Sequence, residues 1–84
     1  MLFEAHNKKR AINIALQMKD FIKKDNRVLD IGLGNGFVAK AIRDHYKVNM
    51  EGVDVVDYND TDIKNTIYNG LNLPFKSKSF DCTL

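Results

Sequence analysis

Three glycines at alternate positions, Gly32, Gly34 and Gly36, constrain this chain more than any other feature. They follow directly on Val28-Leu29-Asp30-Ile31, a short apolar run with β-branched residues that suits a buried parallel strand. After them comes Phe37-Val38-Ala39-Lys40-Ala41-Ile42-Arg43, a helix-forming run. Strand, glycine turn and helix make the first half of a nucleotide-binding βαβ unit. Glycine serves such a turn because it tolerates positive φ and lets a ligand approach the backbone. The free N–H groups at the helix start add a weakly positive end that suits an anionic group.

The spacing narrows the choice of nucleotide. A dinucleotide fingerprint, G-x-G-x-x-G, fails when counted from Gly32, because its third glycine falls on Phe37. Counted from Gly34 it fits loosely, with Ala39 in the last place, but then Asp30 and Gly32 have no role. No G-x-x-x-x-G-K-[ST] run for a phosphate loop is present. The pattern that uses every residue is D-x-G-x-G-x-G, from Asp30 to Gly36. It closely resembles the cofactor loop of class I S-adenosylmethionine-dependent methyltransferases.

The ligand chemistry agrees with that resemblance. S-adenosylmethionine carries an ammonium, a carboxylate, a sulfonium, a ribose and an adenine, and no phosphate. An acid at the strand tip is a poor neighbour for pyrophosphate and a good one for an ammonium, met directly or through water. Asp30 has a plainer use as well, as a cap for local N–H groups.

Met50 to Asp57 reads as the second strand, and its Gly52-Val53-Asp54 matches the G-V-D that ends this strand in many related methyltransferases. The resemblance implies that Asp54 accepts bonds from the ribose hydroxyls and that Val55 packs on the adenine face. Dinucleotide folds place an acid similarly, so Asp54 alone does not choose the cofactor. Asp57 competes with it from three residues on.

A second signature follows a short third strand, Thr66-Ile67-Tyr68. Asn69-Gly70-Leu71-Asn72-Leu73-Pro74-Phe75, a polar turn and Ser79-Phe80-Asp81 resemble the family's acid, L-P-F and S-F-D series. Asn69 stands where the family has the acid that accepts a bond from the adenine amino group. Its side-chain carbonyl can still accept one. Gly70 and Leu71 would then border the ring, while Phe75 and Phe80 pin the loop to the core. Lys76-Ser77-Lys78 reads as an exposed turn.

The resemblance spans roughly Val28 to Leu84. It implies an α/β, Rossmann-like partial parallel sheet, order 3-2-1-4, with flanking helices. It also implies transfer of the sulfonium methyl to an acceptor, expected to be a small molecule, leaving S-adenosylhomocysteine. At 84 residues the chain is expected to be the truncated N-terminal, cofactor-binding part of one methyltransferase domain. Catalytic residues are expected beyond Leu84. Two other readings stay open: a fragment of an NAD-dependent oxidoreductase, and a non-catalytic nucleoside-binding module.

Other features exclude more than they assign. Net charge is +2, and basic residues are scattered among acids, which does not indicate a nucleic-acid surface. The single cysteine, Cys82, excludes an intramolecular disulfide and multi-cysteine metal sites, and is expected in the core. Asp60 and Asp62 lack the glycine and distal glutamate of a calcium loop, so no metal is expected. No apolar run reaches signal-peptide or membrane-spanning length, and a cytoplasmic protein is expected.

Ala11, Ile14, Ala15, Met18, Phe21 and Ile22 recur at helical spacing, predicting a first helix with Lys23-Lys24 in its last turn and its apolar face on the sheet. Phe3, His6 and Lys9 are possible lid residues near the pocket. A second helix is predicted from about Phe37 to Tyr46. Tyr58 to Asn65 is too short and too polar for the usual helix between strands two and three.

Overall fold

A computed structural model describes residues 2–76 and 78–84, with side chains from Lys8 onward. Helix α1 (Leu2–Leu16) is followed by β1 (Arg27–Ile31), α2 (Phe37–Tyr46), β2 (Asn49–Asp54), β3 (Lys64–Ile67) and β4 (Cys82–Thr83). The four strands form one all-parallel sheet in the order β3-β2-β1-β4, as expected. This is an α/β arrangement, a parallel sheet with two flanking helices; in open sheets of this kind ligands bind outside the carboxyl ends of the strands.

One core cluster joins Ala15 and Ile22 to Val28, Ile42 and Val48. A second, formed by Leu33, Ala39 and Ile63, sits under the glycine turn. Cys82 is half-buried in β4, and Phe75 meets Phe80 edge to face at 5.1 Å. Among the described residues no helix is long and apolar enough to cross a membrane.

The first helix differs from the periodicity. It ends at Leu16, so Lys23-Lys24 lie outside it, and Phe21 is exposed rather than packed. Ala15 O, which a continuing helix would offer to Lys19, is taken by Met18 N–H at 3.0 Å and by the Tyr46 hydroxyl at 2.6 Å. The chain tightens into three-residue turns there, and Ile22 still reaches the core. Through the same contact α1 packs chiefly on α2 rather than across the sheet. Lys9 is exposed, while the side chains of Phe3 and His6 lie outside the described residues.

Helix α2 has the predicted limits. Its last turn closes on Lys47, whose φ of 58° and ψ of 49° are left-handed. A non-glycine residue there is strained by about 1–2 kcal/mol, partly offset by the greater freedom glycine has when unfolded. Lys47→Gly is therefore expected to stabilise the chain by about 0.5 kcal/mol, read as a higher urea midpoint at unchanged slope.

Both later strands shift. Strand β2 stops at Asp54, not Asp57, because β1 ends at Ile31 opposite Val53 and Asp54 turns its carboxylate onto Val55 N–H at 2.7 Å. Strand β3 begins at Lys64 and ends before Tyr68. The nine residues Val55 to Ile63 thus cross between parallel neighbours without a helix. Asn59 and Thr61 do the turning: Asn59 Oδ1 accepts from Thr61 N at 3.0 Å, and Asn59 Nδ2 donates to Ile63 O at 2.7 Å. Ile63, 3% exposed, supplies the buried contact that a helix face would otherwise make. Asp62 pairs with Arg43 at 2.8 Å.

Candidate functional site at the carboxyl edge

In a parallel sheet, residues in register point the same way, and every second residue of a strand shares a face. Asp30 is in register with Gly52, so Asp30, Gly52 and Asp54 lie on one face at the carboxyl end. Gly52 leaves room that Leu33 fills: a Cβ there would sit 2.7 Å from Leu33 Cδ1 and 2.9 Å from its Cβ. Leu33 thereby plugs the glycine turn into the sheet, and Gly32 and Leu33 N–H both donate to Val53 O.

The three glycines all have positive φ, at 78°, 61° and 86°. Their surroundings separate them. A Cβ on Gly32 would meet nothing within 4 Å, and one on Gly34 only Gly32 O at 4.0 Å. One on Gly36 would meet Asn59 Oδ1 at 2.5 Å and Thr61 Oγ1 at 2.6 Å. Gly32 and Gly34 face open space, whereas Gly36 accommodates the crossover between β2 and β3. Asp60 N–H also donates to Asn35 O at 2.9 Å, and Asn35 Oδ1 accepts from Phe37 N–H at 3.0 Å at the start of α2.

The two carboxylates differ in their bonding. Asp54 Oδ2 accepts from Gly34 N–H at 2.9 Å and Oδ1 from Val55 N–H. The Gly34 bond, with smaller help from Val55 and Val56 N–H and against some desolvation, holds Asp54 below the ordinary carboxylate range. Burial first, and the Asp54 charge second, push Asp30 up to about 6. A partly desolvated acid beside a second, ionised acid is a common feature of binding sites.

The remaining predicted residues lie on the loops beyond. Tyr68 N–H donates to Asp54 O at 3.0 Å, which brings the loop after β3 to the end of β2. A Cβ on Gly70 would lie 3.1 Å from Val55 Cγ1, so these two predicted residues face each other. Asn69 Oδ1 accepts from Leu71 N–H at 2.8 Å and Asn72 N–H at 3.0 Å, and is turned into its own loop. Leu71 is 84% exposed.

Of ten exposed large apolar side chains among the described residues, seven lie at or beyond the carboxyl ends of β1, β2 and β3. They are Ile31, Val55, Val56, Tyr58, Ile67, Leu71 and Leu73. A groove of about 290 Å³ lies at the opposite edge, among Arg27, Arg43, Met50, Glu51 and Phe80. Its cations are already engaged: Arg43 holds Asp44 and Asp62, and Arg27 lies 5.4 Å over the Phe80 ring.

No protein-family model and no curated protein matches this chain. Sequence reasoning missed Leu33, Asn35, Asn59 and Thr61, which shape the turn without touching the open side. Gly52 immediately before Val53-Asp54 was the available signal for Leu33, since a glycine inside a strand marks close approach by a neighbour.

Proposed function

We propose that this chain is the S-adenosylmethionine-binding portion of a class I methyltransferase. The observation that carries the reading is the pair Asp30 and Asp54 on one sheet face, beside a glycine turn whose Gly32 and Gly34 open onto free space. A pyrophosphate would bring like charge to that pair, while an ammonium and a sulfonium bring the opposite charge. Asp30, with no hydrogen-bond donor among the described residues, is the group assigned to the ammonium. Asp54 keeps lone pairs for ribose hydroxyls after accepting its backbone bonds. Val55 and Gly70 are assigned to the adenine faces, with Leu71 folding over from solvent.

In this reading Asn69 supports the loop through its oxygen and offers the ring an amide donor instead of an acceptor. Gly36 acts at one remove, by seating the crossover. S-adenosylmethionine supplies a methyl group on sulfonium that an acceptor nucleophile displaces in line. The chain's own part is to bind and orient the donor. The acceptor is taken to be a small molecule, the setting cytoplasmic, and the acceptor-activating groups external to these residues. No turnover is expected from this chain alone.

Calorimetry with S-adenosylmethionine, S-adenosylhomocysteine and NAD tests the reading. Binding of the first two without NAD supports it; binding of NAD alone moves the chain to the oxidoreductases. Asp54→Ala removes bonds to a charged acceptor worth about 1.5–3 kcal/mol, so affinity for S-adenosylmethionine should fall by about one to two powers of ten. An unchanged affinity takes Asp54 out of the site.

A further inference from the structure

Two carboxylates on one sheet face, Asp30 and Asp54, share the question of which takes a proton first. The bonding of this pair answers it. Asp54 is tied on both oxygens, by Gly34 N–H at 2.9 Å and Val55 N–H at 2.7 Å, and each bond favours its ionised form. Asp30 accepts no hydrogen bond among the described residues and is partly buried on β1, which lies between β2 and β4. On one side of β1, strand β4 places Cys82 on the same sheet face, in register with Val28. Strand β2 contributes Asp54 and the side-chain-free Gly52, the turn from Gly32 to Gly36 has nothing titratable, and β3 opposes Gly52 with neutral Asn65. On the helices, Lys40 is paired with Asp44, and Lys8 sits 5.8 Å over the Phe37 ring.

Resting on the methyltransferase reading, we infer that Asp30 is a proton-controlled gate on this site: it is the member of the pair that takes up the proton, and only its ionised form admits a ligand bearing an ammonium. Binding of such a ligand at the protonated site releases one proton from Asp30 to solvent, while the ligand keeps its own. A nucleoside without the amino-acid tail is indifferent to the state of Asp30. Asp54 serves both ligands at every pH above the acid range.

The experiment pairs binding with a direct titration of the ligand-free chain. Carboxyl-carbon NMR should find Asp30 titrating near 6, and Asp54→Asn should lower that midpoint without restoring the ordinary value, because burial remains. Between pH 5 and 7, affinity for S-adenosylmethionine should rise about tenfold, following the ionised fraction, while affinity for adenosine stays flat. Asp30→Asn should flatten the S-adenosylmethionine profile. An Asp30 midpoint in the ordinary carboxylate range overturns the gate, as does an equal pH slope for both ligands or none for either. S-adenosylmethionine that binds without pH dependence removes the gate alone; failure of both nucleosides to bind at any pH removes the gate together with the methyltransferase reading.

Discussion

Gly36→Ala is expected to cost this chain about 2–5 kcal/mol. Part is the left-handed backbone at φ 86°, worth about 1–2 kcal/mol for a residue with a Cβ. The rest is overpacking, since the new methyl would sit 2.5 Å from Asn59 Oδ1 and 2.6 Å from Thr61 Oγ1, and overpacking commonly costs 1–3 kcal/mol. Those oxygens cannot swing away cheaply, because they bond each other and the N–H groups of Thr61 and Ile63. At the usual 0.05–0.15 kcal/mol per residue, a chain of 84 residues has about 4–13 kcal/mol in all, so the loss is a large share of it. Thermal unfolding should move down by ten degrees or more. Gly32→Ala shares the positive φ but has open space around it, so it should cost only the backbone part. Equal losses at the two positions would mean that the crossover does not bear on Gly36.

Asp30→Asn is expected to act in the opposite direction. The folded chain holds the Asp30 proton up to about 6, whereas the unfolded chain releases it near 4. Stability therefore falls as pH rises through that window, and the full penalty is present above it. Asn carries no charge to bury, so the variant should be more stable than the parent at pH 7–8. Because the carboxyl keeps some contact with solvent, which screens it, the gain is put at about 1–2 kcal/mol. At pH 4 the two proteins should be nearly equal. Urea midpoints at both pH values check this, and a gain that persists at pH 4 would trace to packing rather than charge. A residue that destabilises its own fold at neutral pH is one kept for another reason.

What the sequence disclosed was mostly local. The D-x-G-x-G-x-G turn, the limits of α2 and the absence of a crossover helix could be read from neighbouring residues, since each depends on chemistry within a few positions. The strand order came from resemblance rather than periodicity, and the sheet has that order. The errors came from distant partners. The first helix stops because Tyr46, 31 residues away, bonds the carbonyl of Ala15. The second strand stops where both neighbours run out, β1 at Ile31 opposite Val53 and β3 at Ile67 opposite Asp54, although Val55 and Val56 have every local reason to continue. Gly36 looked like part of the ligand cradle until Asn59 and Thr61 were seen against it. Glycine spacing says where a side chain is unwelcome and does not say what would have collided with it.

The Tyr46 hydroxyl has one practical consequence. The chain has no tryptophan and three tyrosines, so tyrosine light emission is its only strong intrinsic optical signal. A phenol donating to a peptide carbonyl is quenched, whereas a hydrated one is bright. Detachment of the first helix from the second should therefore register as a rise in fluorescence, letting helix docking be followed in real time without any attached dye.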